Sequence, residues 1–261
     1  MPLPSAGNPI GKPFIELQSI DSTNKYAMGL VHGDLLPDGQ GEAQHGMAVF
    51  THEQTAGKGQ RGKNWVSQKD LNIALSILLK PYPLSVPDQF KLSVCIAVSA
   101  WEFFSKYAGD ETKIKWPNDI YWQDRKTGGI LIENSISGNK WKYAVVGFGL
   151  NINQTAFNPS LKNPSSLKQI TGKDYDVVEL SKKLCNELEL TFNRLLNGDM
   201  NGLMNEYNQH LYKKNSIVKF KKDAVVFEGR IMKVDEAGRL IVQTSFEEAF
   251  EFGSVEWIIE S

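Results

Sequence analysis

The sequence predicts an α+β chain, with a mixed, largely antiparallel sheet flanked by helices and a small β-barrel at the C-terminal end. Three observations predict it. Strand-length apolar runs follow one another in hairpin-like succession from 112 to 149. Between 87 and 107, Phe90, Val94, Ala97, Val98, Trp101 and Phe104 recur at spacings of three and four, the buried stripe of a helix. After Lys213-Lys214-Asn215 the texture changes to short alternating strands separated by turns.

In order, residues 1–13 carry Pro and Gly and are expected to be a loose leader. Phe14–Leu17 is a strand candidate. Ser19–Asn24 leads into a helix, with Ser22 or Thr23 as N-cap. Residues 34–46 are a polar loop, and Met47–Thr51 is a buried strand. Leu71–Leu79 is a second apolar strand, closed by Pro81 and Pro83. The helix over 87–107 stops at Gly109. Thr112–Lys115, Ile120–Trp122 and Gly128–Glu133 read as strands, with a tight polar turn over Gln123–Lys126. Trp141–Gly149 is the next strand, and 158–173 a polar loop. Asp176 and Glu179 have capping-box spacing and open a helix to about Leu196, and another helix covers Leu203–Leu211. Short strands are expected at 217–220, 225–234, 240–244, 249–252 and 255–258. The expected units are therefore a leader at 1–13, a main domain at 14–213 and a barrel at 214–261.

With 261 residues, 41% of them hydrophobic, the chain can build a substantial core. A net charge of −1 argues against a generic nucleic-acid binder but not against a small anionic ligand, which needs only local cations. Cys95 and Cys185 are isolated within apparent helices and form neither a metal pattern nor a disulfide framework. The four histidines, at 32, 45, 52 and 210, show no ligand spacing. No secretory signal and no membrane-length apolar run is visible, so a cytoplasmic protein is expected.

The densest chemical signal is Gly57-Lys58-Gly59-Gln60-Arg61-Gly62-Lys63-Asn64-Trp65. Glycines let backbone N–H groups converge on an anion, and Lys58, Arg61 and Lys63 add positive charge. The run nearly matches a P-loop. However, Asn64 stands where a hydroxyl is needed, and no helix pattern follows to help hold phosphates. Three more polar clusters, at 22–24, 115–129 and 147–151, fall at strand ends or a helix start, and converging sheet-end loops build sites. Asn118 and Asp119 could orient a lysine or hold Mg²⁺, and Lys126 is such a lysine. Gly147 and Gly149 would make a bare wall for a flat ring. With no nucleophile evident, catalysis would rest on positioning and charge stabilisation, which suits attack of a carboxylate on a phosphate.

Lys115-Trp116-Pro117-Asn118-Asp119 with Lys126-Thr127-Gly128-Gly129-Ile130-Leu131-Ile132-Glu133 resembles the signature of biotin–protein ligases. The 54–65 run is similar to that family's biotin-binding loop, and Ser22-Thr23-Asn24 and Gly147-x-Gly149-x-Asn151 match its two other motifs. The resemblance covers about 14–260. It implies a catalytic domain related to class II aminoacyl-tRNA synthetases and an SH3-like C-terminal barrel. It also implies synthesis of biotinyl-5′-adenylate from biotin and MgATP, then transfer to a lysine of a biotin carboxyl carrier domain. The pocket for biotin would comprise Ser22, Thr23, Gln54, Gly57, Lys58, Gln60, Lys126, Gly129, Gly147 and Gly149. Arg61, Lys63, Trp65, Asn118, Asp119 and Asn151 would serve ATP, Lys126, Asn118 and Asp119 the chemistry. No fixed metal site is implied beyond Mg²⁺ carried with ATP, with Asp119 nearby. The chain departs from the family loop at Lys58 and Gln60, where arginines are commonest. Less charge on the adenylate would let it escape more readily. No DNA-binding unit and no membrane contact are expected, and monomer and homodimer stay equally open. The neighbouring readings are a lipoate–protein ligase and a non-catalytic biotin- or nucleotide-binding regulator.

Overall fold

The structure is a computed structural model that describes residues 8–34 and 43–258. Most of the expected leader and the centre of the 34–46 loop lie outside the described residues. The chain order is β1 (Phe14–Leu17), α1 (Thr23–His32), β2 (Ala48–Thr51), β3 (Asn72–Leu79), α2 (Gln89–Ala108), β4 (Thr112–Lys115), β5 (Asp119–Trp122), β6 (Arg125–Ser137) and β7 (Lys140–Asn151). Then come α3 (Leu167–Thr171), α4 (Val177–Leu196), α5 (Met200–Gln209), β8 (Ile217–Lys222), β9 (Val225–Val234), β10 (Leu240–Gln243), β11 (Glu247–Phe250) and β12 (Glu256–Ile258).

β1 to β7 form one sheet in the order β1-β2-β3-β7-β6-β5-β4. Only β1 and β2 run parallel, so the sheet is mixed and largely antiparallel, as expected. Side chains alternate between its faces. Ile73, Leu75, Ile77 and Leu79 of β3 and Ala144, Val146, Phe148 and Leu150 of β7 face the main core, which α2 and α4 cover. Val49, Leu78 and Val145 face the other way, against Ala27 and Leu30 of α1. The helices start where the sequence supplies caps. Ser22 accepts from Lys25 N, Asp176 from Val178 N and Glu179 N, and Asp199 from Gly202 N. Ser85 and Asp88 close a capping box on the short turn leading into α2. Cys95 and Cys185 are buried and free, and burial pushes the Cys185 thiol up to about 12.

β8 to β12 make a second, all-antiparallel sheet, ordered β11-β10-β9-β8-β12. Phe220 of β8 lies 6.4 Å from Phe250 of β11 and 5.3 Å from Trp257 of β12. In a flat sheet β8 and β11, three places apart, would be ~14 Å from one another. The sheet therefore curls strongly, and its two edge strands share one aromatic core, which gives it barrel-like curvature. It is sewn to the first unit by Trp116 Nε1 donating to Gly238 O (2.9 Å) and by Asn208, whose amide pairs both backbone groups of Val234 (2.9 and 2.7 Å).

Two local expectations change. The 158–173 loop contains the five-residue helix α3, capped by Ser166 and ended by Gly172 at φ 73. A single turn of that length is too short to display a 3.6-residue period. α5 begins at Met200 rather than Leu203, because Asp199 supplies the cap.

Candidate functional site

Cross-strand partners in an antiparallel sheet share a face, and register therefore locates the site. Ala74, Gly149, Gly129, Asp119 and Lys115 lie in one row across β3, β7, β6, β5 and β4. They sit on the α1 face. The centre of the row has almost no side-chain bulk, and its far end carries a carboxylate and an ammonium.

Lys126 belongs to the same face only because β6 is irregular. Lys126 and Gly129 are three residues apart, which in a regular strand would place them on opposite faces. The pairing shifts between Ile120 and Tyr121, so that Tyr121 opposes Lys126 while Ile120 opposes Gly128. Thr127 is the extra residue of this bulge, fully buried, with its hydroxyl donating to Ile120 O (3.0 Å). The bulge turns Lys126 back over the row, where Nζ donates to Asp119 Oδ1 at 2.7 Å. A Cβ on Gly129 would stand 3.3 Å from that carboxylate oxygen and 3.5 Å from Nζ. Segment 163–165 pins the Lys126 backbone: Lys126 N donates to Asn163 O (2.8 Å) and Ser165 N to Lys126 O (2.9 Å). Asn118 Nδ2 donates to Ile130 O, and Asn151 Nδ2 to Ser165 O (2.9 Å).

The start of α1 supplies a second buried polar network. Gln54 Oε1 accepts from both Thr23 N (2.9 Å) and Thr23 Oγ1 (3.1 Å). Ser76 Oγ donates to Asn24 Oδ1 (2.6 Å) and stands 2.8 Å from Thr23 Oγ1. Asn24 Nδ2 donates to Glu133 Oε2 (2.9 Å). The expected bare glycine wall is therefore clothed: a Cβ on Gly147 would collide with the Asn24 amide, and one on Gly149 would stand 2.5 Å from the Trp65 ring. The glycines are needed for close packing by those two side chains.

The glycine–cation loop folds back on itself. Gly59 N donates to Lys63 O (2.7 Å) and Trp65 N to Gly57 O (2.9 Å), while Lys58 bridges Asn64 through the backbone. No helix follows, which disposes of the P-loop reading. Trp65 Nε1 and Gln60 Oε1 are buried without a hydrogen-bond partner, one a donor and the other an acceptor. Buried unpaired groups are costly, and a ligand that carries both an acceptor and a donor would satisfy them. Arg61 Nη1 donates to Gly253 O, in the turn between β11 and β12 (3.3 Å).

Lys115 closes the row. Its Nζ lies 4.9 Å from the Trp257 ring centroid and 5.5 Å from that of Tyr121. Burial lowers its pKa from 10.5 to about 8, opposed by Asp119 and assisted by the charges of Lys126 and Lys63. Three cations thus share one small region. Lys115, Asn24, Ser76, Glu133, Thr127 and the 163–165 segment escaped assignment from sequence. Lys115 and Asn24 lay inside quoted motifs, whereas Ser76 carries no local signal at all.

A model of the biotin/lipoate A/B protein ligase family matches residues 17–151. The chain belongs to that family. The match runs from α1 through β7 and leaves out the 163–165 segment, α3 to α5 and the second sheet. Bacillus spizizenii bifunctional ligase/repressor BirA is 34% identical over 171 residues, covering 64% of this chain and 50% of the relative. The Paracoccus denitrificans biotin–[acetyl-CoA-carboxylase] ligase is 32% identical over 169 residues, 62% of this chain and 66% of that one. The chain spans about half the length of two of the bifunctional relatives, 50% of that from Bacillus spizizenii and 51% of that from Escherichia coli. Among solved structures, the Aquifex aeolicus biotin protein ligase in complex with biotin and ATP superposes with a TM-score of 0.77 at 23% identity, covering 94% of this chain and 98% of that one. This likeness extends the shared fold through the second sheet.

Proposed function

We propose that this chain is a biotin–protein ligase, which activates biotin with MgATP and passes it to a lysine of an acceptor domain, the biotin carboxyl carrier of a biotin-dependent carboxylase. The observation that carries the reading is the Lys126–Asp119 pair held by a β-bulge over a floor of small residues. Biotin and ATP are both anions, and a cation fixed at their meeting point lowers the cost of bringing them together. In the first half-reaction a carboxylate oxygen of biotin attacks the α-phosphorus and pyrophosphate leaves. In the second, the acceptor amine attacks the acyl carbon, a proton is lost and AMP departs. Lys126 offsets negative charge at the carboxylate and phosphate, and Asp119 holds its ammonium in place. The Thr23–Gln54 network would shape the biotin end, with Ser22, Gly57, Lys58, Gln60, Gly129, Gly147 and Gly149 around it. Lys63, Trp65, Asn118 and Asn151 would serve the nucleotide.

Mg²⁺ binds through one or two carboxylates together with substrate phosphates. Among the described residues no cluster of three or more His, Cys, Asp or Glu could hold a metal by itself. Asp119 fits the single-carboxylate role, and the ion would neutralise phosphate charge. Among these residues, too, no helix is long and apolar enough to cross a membrane. Residues 14–213 would carry the chemistry in the cytoplasm and 214–261 would form the second unit.

The test is ATP–pyrophosphate exchange with biotin, with lipoate and with no acid. Exchange with biotin alone is expected. Exchange with lipoate alone would move the chain to the neighbouring activity within the family, and no exchange with either acid would make it a binding protein.

A further inference from the structure

The ligand loop has a resting place outside its own sheet. Arg61 forms the tip of the loop at φ 56 and ψ 39, in the left-handed region. Its Nη1 donates to Gly253 O at 3.3 Å, and its Cζ lies 5.8 Å from the Phe252 ring centroid. Gly253, at φ 81, sits in the turn between β11 and β12, and a Cβ there would stand 2.6 Å from Arg61 Cζ. Phe252 packs edge-on against Trp116 at 5.8 Å. Trp116 is itself buried and immediately precedes Pro117-Asn118-Asp119. A line of contact therefore runs from the loop tip, through the second sheet, to the strand that carries Asp119.

We propose that Arg61 is a positioning residue that latches the ligand loop onto the Phe252–Gly253 turn, so that the second sheet controls how long the site stays closed. The latch consists of one long hydrogen bond and one exposed cation–π contact. It is weak enough to open at each turnover, which a loop admitting two substrates requires. Arg61 then acts through the loop and touches neither substrate. The latch itself is a property of the chain alone, whereas its effect on a bound adenylate rests on the function proposed above.

The experiment pairs two readouts. Limited trypsinolysis after Lys58 and Lys63, without ligand, reports loop opening, and the rate of loss of preformed adenylate reports closure of the loaded site. Phe252→Ala and Phe252→Leu remove the ring at a position that is half exposed. Both are expected to raise both rates about three- to fivefold, the factor that corresponds to an exposed cation–π contact, with little change in melting temperature. Arg61→Ala combined with Phe252→Ala should be no faster than Arg61→Ala alone, because the two side chains share one interaction. Wild-type cleavage in both Phe252 variants would overturn the latch, as would independent multiplication of the two substitutions. Trypsinolysis needs no biotin, so failure of the biotin reading would appear in pyrophosphate exchange and leave the cleavage result standing.

Discussion

The β5–β6 hairpin and the 57–65 loop carry the same kinds of residue but differ in how far their polar groups are satisfied. In the hairpin, Lys126 is paired with Asp119, Thr127 with Ile120 O and Asn118 with Ile130 O. The loop keeps Trp65 Nε1 and Gln60 Oε1 buried and unpaired, and Arg61 in a left-handed conformation. One region is finished before any ligand arrives, while the other is left incomplete in a way that a ligand can repair. The difference suggests a division of labour, in which the hairpin supplies the charge that the chemistry needs and the loop determines retention.

The division breaks most sharply at Lys126. Lys126→Ala should cut pyrophosphate exchange about a thousandfold or more while the melting curve barely moves. Near-normal turnover would show that the hairpin is not the chemical half. Deleting Thr127 leaves Lys126 and Gly129 two positions apart, on one face of a regular strand, so activity should fall far less than in Lys126→Ala. A loss as deep as that of Lys126→Ala would show that the bulge itself, beyond the choice of face, places the ammonium.

The loop side is tested at Gly149. Gly149→Ala would push the Trp65 ring aside and should weaken binding of the acid about tenfold or more, read by tryptophan fluorescence, with a smaller change in the maximal rate. A pure rate effect with intact affinity would erase the distinction between the two regions. Lys115 gives a subtler test. Its ammonium is disfavoured by burial, so between pH about 8 and 10.5 the unfolded chain binds the proton more readily, and stability should rise with pH through that window. Lys115→Met should flatten the rise, a change on the order of 1–2 kcal/mol after allowing for partial solvent screening, visible in urea melts at pH 7.5 and 10. The smallest effect is expected for Gln60→Arg, which adds loop charge and should slow adenylate dissociation about threefold. Equal rates would mean that charge at position 60 does not govern retention.

Much of this was legible in the sequence. The helical period of 87–107, the caps at Ser22 and Asp176 and the hairpin succession gave the first sheet its class, because these signals are local. The four motifs marked the candidate site for the same reason. The Thr127 bulge was not legible, since Lys126-Thr127-Gly128-Gly129 has no local feature that says which residue is unpaired. Ser76 lies in an apolar strand, and its meaning comes only from α1 packing across it. The orientation of Arg61 depends on a turn almost two hundred positions away, beyond the reach of any window-based reading.

Sheet order also bears on how the molecule assembles. β4, β5, β6 and β7 are successive neighbours, so their contacts are local in sequence, whereas β3 reaches β7 only after the whole of α2 and the intervening hairpins have been made. Loop closure over such a distance is slow compared with zipping a meander. During refolding, amide protection should appear in β4–β7 before β2 and β3. The lysine-bearing hairpin would then be born early, and the 57–65 loop would join it last.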